Sequence, residues 1–299
     1  MFKHLLVPLD GSPLAEAALP AAAFLARKLD ASVTLVHIIE RGASPEIHGE
    51  RHLTDAAEAT AYLDEVARGA FPADLRVARH VHTSEVEDIT RGIVDHVAEL
   101  NPDLIVMCTH GSGGLRSFLF GSIAQQVVAR GTTPVLLIRP AESGHDQPFV
   151  CRRLLVPLDG TPDHEQGLPV AAELGRACEA GLLLVYVVPT LGTLSGDQAA
   201  AGRLLPGATQ AMLQMACQDA ATYLRDHIGR LQDQGLSVEA EIHRGEPTAV
   251  IVDTAQASGT DMIVLGTHGK AGMEAFWSGS TAPKISNRSR LPLLLVPIP

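Results

Sequence analysis

The 299-residue chain is poor in features that mark several large classes of protein. Its four cysteines show no CxxC spacing, so no disulfide framework is expected, and this usage fits a reducing cytoplasm. Its longest apolar runs, such as 182–188, are far shorter than the roughly 20 residues of a membrane-spanning helix. A strand-like run begins by Leu5, which leaves no space for a signal peptide. We therefore expect a cytoplasmic protein without membrane insertion.

Basic side chains are also scarce. The chain has 23 lysines and arginines against 34 acidic residues, which gives a formal net charge of −11. Because an acidic surface repels phosphate backbones, no nucleic-acid partner is expected. The content of 46% hydrophobic and 19% charged residues is that of ordinary globular proteins, and the length suits two domains of roughly 150 residues.

Internal repetition dominates what the sequence does contain. Residues 5–13 (LLVPLDGSP) return 149 positions later as 154–162 (LLVPLDGTP). Three further blocks recur 158 positions later: 102–111 as 260–269, 121–122 as 279–280, and 134–138 as 292–296. Chance does not produce several matching blocks in the same order, so the chain is a tandem duplication. The second copy carries nine additional residues, which we assign to the stretch punctuated by Gly and Pro at 189–207.

A polar segment, 140–148 (PAESGHDQP), separates the copies, and its glycine and prolines interrupt regular secondary structure. We place the first domain at 1–141, a linker at 142–150 and the second domain at 151–299. In the first copy the pattern predicts strands at 5–9, 32–39, 75–82, 103–108 and 134–138, and helices near 13–29, 53–68, 83–100 and 121–130. Strands that alternate with helices form parallel sheets with helices on both faces. The predicted fold class is therefore α/β, with two tandem copies of a five-stranded parallel-sheet α/β/α sandwich.

The residues that could bind a ligand cluster at the edge where such a sheet usually binds one. Open parallel sheets bind ligands beyond the carboxyl ends of their strands, where the strand order reverses. Asp10 and Asp159 close the first strand of each copy. After the fourth strand of copy two, residues 266–281 read Gly-x₂-Gly-x₉-Gly-Ser-Thr and lead into a helix. Main-chain N–H groups at that helix start favour an anion, and the Ser280 hydroxyl can contact a phosphate oxygen or Mg²⁺.

These two motifs together resemble the universal stress protein family, and more narrowly its ATP-binding branch in tandem form. The likeness covers nearly the whole chain, apart from the linker and 189–207. It implies a Rossmann-like fold of the adenine nucleotide α-hydrolase type, ATP as the ligand with Mg²⁺ accompanying it, and a regulatory role in stress response.

The resemblance also assigns roles to individual residues. In copy two it places Asp159 and the main chain of Val187 against adenine, Pro157 and Gly266 near the ribose, and Gly269, Gly279, Ser280 and Thr281 on the phosphates. In copy one the matching positions are Asp10, Ile38, Pro8, Gly111, Gly121, Ser122 and Ile123. Copy one departs from the motif at Cys108, where the first glycine is expected. A cysteine side chain occupies space that a glycine leaves to the ligand, so copy two is expected to be the better site.

Each feature also has a purely structural explanation. Asp-Gly is a common turn pair, so Asp10 and Asp159 can simply stabilise turns. His110 and His268 have no accompanying acid and nucleophile, and no catalytic residue is predicted. His80 and His82 would share one face of a strand, but no third ligand follows at a recognisable spacing. No metal site is therefore predicted.

Family members pair through their last strands, and here 135–138 and 293–296 carry few charges that would block an edge. We expect the two copies to pair within the chain. Association of whole chains into a homodimer stays open, and no protein partner can be named.

Three functions remain. The leading one is a cytoplasmic ATP-binding regulatory protein with at most slow hydrolysis. A second is an enzyme of the nucleotide α-hydrolase-like class that transfers adenylyl or phosphoryl groups, for which residues 267–270 (THGK) supply only one His and one Lys. The third is an interaction module that binds no nucleotide.

Overall fold

A computed structural model describes residues 2–40, 46–47, 50–51, 53–86, 89–109, 122–140, 148–194, 196–267 and 281–298. The first copy comprises β1 (His4–Pro8), α1 (Pro13–Glu16), α2 (Leu19–Leu29), β2 (Ser32–Glu40), β3 (Glu46–Ile47), β4 (Glu50–Arg51), α3 (Ala56–Ala70), β5 (Val77–Val86), α4 (Ile89–Leu100), β6 (Leu104–Cys108), α5 (Ser122–Arg130) and β7 (Val135–Ile138). The second comprises β8 (Arg153–Leu158), a 3₁₀ turn (His164–Gln166), α6 (Gly167–Cys178), β9 (Gly181–Val188), α7 (Gly196–Leu204), α8 (Pro206–Gln232), β10 (Val238–Arg244), α9 (Pro247–Ala257), β11 (Met262–Thr267), α10 (Thr281–Arg288) and β12 (Leu293–Pro297).

One ten-stranded sheet crosses both copies, in the order β10-β9-β8-β11-β12-β7-β6-β1-β2-β5. Within each copy all neighbouring strands are parallel. In each copy the first strand lies between the second and the fourth, so the strand order reverses at that point. The predicted fold class, two tandem α/β copies with five parallel strands each, is confirmed.

The copies join through their last strands. β12 pairs antiparallel with β7, and Leu294 lies opposite Leu136 at the centre of the pair. The predicted pairing within the chain is therefore confirmed. Because the strands reverse direction across this pair, the carboxyl ends of the two sets of strands lie at opposite ends of the sheet.

Successive side chains of each strand point to opposite faces of the sheet, and buried apolar side chains form a core on each face. Leu5 and Val7 of β1 belong to one cluster of buried side chains, whereas Leu6 belongs to the other. The first cluster includes residues of α2, α3, α6 and α8. The second includes residues of α4, α5, α9 and α10. Helices thus cover both faces, as parallel strands buried on both sides require.

Two predicted helices differ from the structure. The segment expected as one helix over 13–29 is divided into α1 and α2, with Pro20 in the first turn of α2. Proline has no N–H to continue the hydrogen-bond ladder from a preceding turn, which explains the division. The helix expected from residue 83 begins only with α4, because β5 continues to Val86 alongside β2.

The nine additional residues of the second copy also contain regular structure. The stretch at 189–207, to which the additional residues were assigned, includes α7, which leads into the 27-residue α8. Within the described part of the chain, no helix has the length and apolar character needed to cross a bilayer.

The junction of β7 and β12 should couple the stability of the two copies. Leu294 is 1% exposed, and its replacement by alanine should cost about 2–5 kcal/mol of unfolding free energy. Since the strand is shared between two halves of one sheet, amide hydrogen exchange should accelerate in β1 and β6 as well as in β8 and β11. Acceleration confined to the second copy would show that the halves unfold independently.

Candidate functional site

The reversal point of the second copy lies between β8 and β11. Asp159 follows β8 directly, and Val187 lies one residue beyond the last β8–β9 pair, Leu158 with Tyr186. Val187 therefore borders the space past the end of β8, where the chain turns away at Asp159. The two residues predicted to contact adenine thus lie at the same end of neighbouring strands.

Asp159 is held by a local hydrogen-bond network. Its Oδ1 accepts from the main-chain N of Thr161 at 3.0 Å and from the Thr161 hydroxyl at 2.7 Å. Its Oδ2 lies 2.6 Å from Nδ1 of His164. Gly160 adopts a φ of +81°, a conformation that glycine reaches without steric cost, and this lets the chain turn back on the carboxylate. The Asp159 side chain is 49% exposed, so solvent or a ligand can still reach it.

These contacts set the charge of Asp159. Burial disfavours its ionised form, but hydrogen bonds from Thr161 and His164 outweigh the burial and lower the pKa of the carboxyl. The group is therefore ionised at neutral pH and acts as a hydrogen-bond acceptor.

Asp10 forms the same turn in the first copy. Its Oδ1 accepts from the N of Ser12 at 2.9 Å and from the Ser12 hydroxyl at 2.6 Å. The Ser12 oxygen in turn accepts from the N of Ala15 and caps α1. Ala15 occupies the position that His164 holds in the second copy. Both aspartates therefore stabilise turns, and in the second copy His164 makes a further contact with the carboxylate.

A cluster of polar side chains beside Asp159 was not predicted from the sequence. The Tyr186 hydroxyl donates to the carbonyl oxygen of Asp159 at 2.8 Å, and the Tyr223 hydroxyl donates to Oε1 of Glu165 at 2.8 Å. Nε2 of His227 lies 3.4 Å from the same Glu165 oxygen. Burial raises the pKa of Tyr186, with a further contribution from the Asp159 charge, so the phenol stays protonated and donates. Tyr223 and His227 belong to the long α8, and no pattern in the sequence assigns them to this site.

Gly266 is in close contact with the turn that contains Asp163 and His164. A Cβ added there would lie 3.0 Å from the carbonyl oxygen of His164 and 3.4 Å from that of Asp163. Gly167 fits equally closely, since its Cβ would lie 3.2 Å from the N of Gly266. The turn that carries His164 therefore rests directly on the end of β11, and the glycine admits it. Cys108, buried at the end of β6, is the corresponding residue of the first copy.

The remaining predicted site residues fall into two groups. The structure describes Pro8 in β1, Ile38 in β2, Pro157 in β8, Ser122 and Ile123 at the start of α5, and Thr281 at the start of α10. Gly111, Gly121, Gly269, Gly279 and Ser280 lie outside the described residues. The adenine and ribose end of the predicted site is thus described, and most of its phosphate end is not.

Comparison with known proteins gives a consistent result. The sequence model of the universal stress protein family matches residues 1–139 and again 151–297. A universal stress protein of Mycolicibacterium smegmatis (strain ATCC 700084 / mc(2)155) is 24% identical over 98% of this chain and 96% of its own length. A universal stress protein of Mycobacterium tuberculosis (strain ATCC 25618 / H37Rv) is 22% identical over 97% of this chain and 95% of its own length.

A solved structure has the same fold. The crystal structure of a universal stress protein from Archaeoglobus fulgidus DSM 4304 superimposes with a TM-score of 0.69 at 18% sequence identity. The match covers 99% of this chain and 96% of that chain. Both tandem copies are therefore part of a known overall architecture.

The close contact at Gly266 makes a stability prediction. Changing Gly266→Ala should push the Asp163–His164 turn off the end of β11 and lower the unfolding free energy by about 1–3 kcal/mol, as overpacking does. Urea denaturation measures the change. The matched control is Gly229→Ala in α8, where an added Cβ meets nothing within 4 Å, and it should stabilise by up to about 1 kcal/mol. Equal behaviour of the two variants would contradict the assigned contact.

Proposed function

The chain belongs to the universal stress protein family, and from that premise we propose that it is a cytoplasmic regulatory protein that binds ATP, chiefly through its second copy. The observation that carries the proposal is Asp159, an ionised carboxylate that is half exposed at the carboxyl end of β8. It stands where the strand order reverses, which is where open parallel sheets bind ligands.

The chemistry of Asp159 suits adenine. The exocyclic amino group of adenine is a donor, and a carboxylate offers only acceptors. Thr161 and His164 use some of the acceptor positions of the two oxygens, and the exposed side of the group leaves others for a ligand. A fixed carboxylate also loses little conformational freedom when it binds, because its position is already determined by its turn.

Support for the phosphate end comes mainly from the sequence. Thr281 begins α10, and Gly279 and Ser280 precede it. The start of a helix presents unpaired N–H groups and the positive end of its dipole, both of which favour phosphate oxygens. The Ser280 hydroxyl would contact the phosphates or the Mg²⁺ that accompanies the nucleotide. Glycines at 269 and 279 would leave space for the ligand near the main chain.

The two copies differ in ways that favour the second. Copy one has Cys108 in place of the first motif glycine and Ala15 in place of His164. It keeps Asp10 and its turn, and its sequence retains Gly111, Gly121 and Ser122. We therefore assign the tighter ATP site to copy two and a weaker site to copy one.

The cytoplasmic location is also part of the proposal. None of the four cysteines forms a disulfide, as expected of a protein kept in a reducing compartment. The regulatory role is part of the same proposal, because the residues assigned to the nucleotide would bind it and none is assigned a catalytic step.

The assignment is tested with a matched pair of variants. Asp159→Ala removes a charge-assisted hydrogen bond worth about 1.5–3 kcal/mol, and should weaken ATP binding roughly 10- to 150-fold in calorimetric titration. Asp10→Ala removes the same residue from the same turn of the first copy and should leave the tighter binding event unchanged. If Asp10→Ala abolishes that event and Asp159→Ala spares it, the assignment to copy two is wrong.

Turnover should be slow. The residues assigned to the phosphates, glycines with a serine and a threonine, bind and orient the nucleotide but include no general base to activate water and no arginine finger. We expect steady-state ATP hydrolysis below about 1 s⁻¹, the lower end of the ordinary enzyme range. A phosphate-release assay that gave a kcat well within that range, with or without an acceptor substrate, would favour the transferase alternative.

A further inference from the structure

Three histidines meet on the outermost strand of the first copy. His80 and His82 are two residues apart on β5 and share one face of the sheet, and His96 of α4 packs over that face. One ligand nitrogen from each lies within 4.8 Å of the others. The rings of His80 and His82 each lie with their centroids 4.7 Å from that of His96.

The orientation and the tautomer of His96 suit a metal ligand. It is 2% exposed, and its Nδ1 lies 2.7 Å from the carbonyl oxygen of Gly92, one turn earlier in α4. A carbonyl only accepts, so Nδ1 carries the proton and Nε2 presents its lone pair to the cluster. Metal-binding histidines commonly donate their other ring N–H to a backbone carbonyl, which fixes ring and tautomer. Nε2 of His96 lies 2.8 Å from Nε2 of His80.

The three imidazoles are close enough for one ion to contact all of them. A neutral imidazole is the ligand form of histidine, and an ion between the rings would replace the direct contact of the His80 and His96 nitrogens with a bond to each nitrogen. The carboxylate of Glu99 adds negative charge beside the cluster.

The second copy provides an internal comparison. Val185 and Val187 of β9 correspond to Val36 and Ile38 of β2, and they pair with Glu241 and His243 where the first copy has His80 and His82. The counterpart of His96, 158 residues later, is Thr254, which is buried. Nε2 of His243 lies 2.6 Å from Oε2 of Glu241, so the two side chains contact each other directly. Among the described residues, three imidazoles thus meet in only one of the two copies.

We propose that His80, His82 and His96 form a binding site for a divalent first-row transition ion such as Zn²⁺. Three imidazoles with one open position for water are a familiar Zn²⁺ ligand set. Two nitrogens at ordinary Zn–N distances lie about 3.3 Å apart, so His80 and His96 must separate by about 0.5 Å. The ion would tie the edge strand β5 to α4, and the site does not depend on the proposed nucleotide binding.

The experiment uses the full chain after chelator treatment, with Zn²⁺ titrated by calorimetry and Co²⁺ by visible absorption. The wild-type chain should bind one equivalent of Zn²⁺ tightly, and Co²⁺ should give the intense absorption of a tetrahedral site. His82→Ala, which removes a partly exposed ligand, should weaken Zn²⁺ binding by more than about 100-fold, the upper end of the loss caused by removing an outer-shell partner.

Controls separate this site from the other histidines of the chain. His243→Ala removes the equivalent residue of the second copy and should leave Zn²⁺ affinity and stoichiometry unchanged. His80→Ala repeats the test at a second ligand, and circular dichroism establishes that each variant is folded. Wild-type affinity in folded His82→Ala and His80→Ala, or failure of the wild-type chain to take up one equivalent of Zn²⁺, would overturn the proposal.

Discussion

The pairing of β7 with β12 is the contact on which the architecture depends. Each is the last strand of its own five-stranded set, and an unpaired edge would expose a row of main-chain donors and acceptors. Residues 135–137 lie opposite 293–295, and these side chains are all buried. An apolar strand of this kind cannot serve as a solvent-exposed edge. Pairing of the two edges turns two half-sheets into one sheet and makes each face a continuous support for its helices.

Much of this organisation could be predicted because the same sequence pattern occurs twice in the chain. Two copies of a pattern fix the alignment of strands and turns better than either copy alone, and short apolar runs are typical of parallel strands. What escaped prediction depends on contacts that are distant in sequence. The strand β5 continues to Val86 because β2 lies beside it, although the sequence pattern predicted a helix from residue 83.

The candidate site also combines local features, which the sequence predicts, with contacts distant in sequence, which it does not. Asp10 and Asp159 could be recognised because they close repeated strands, and the turn at each is local. The network of Tyr223, Glu165 and His227 could not be recognised, since it joins α8 to a turn that lies more than fifty residues earlier. The histidine cluster escaped for the same reason. His80 and His82 follow the period of a strand, but His96 joins them only when α4 packs over β5.

The reversal of direction at the junction separates the two candidate sites. Strands of one copy run opposite to those of the other, so the strand ends at which open parallel sheets bind ligands lie at opposite ends of the sheet. The described residues of the two candidate sites, which include Asp10 and Asp159, therefore lie at opposite ends of the sheet. On that arrangement, any effect of Cys108 at the position of the motif glycine is expected within the first copy. The second copy, which keeps Gly266, has its own turn from 163 to 164 packed against that glycine. The duplicated fold thus allows each copy to diverge at its own end while the shared strands at the centre stay constrained by packing.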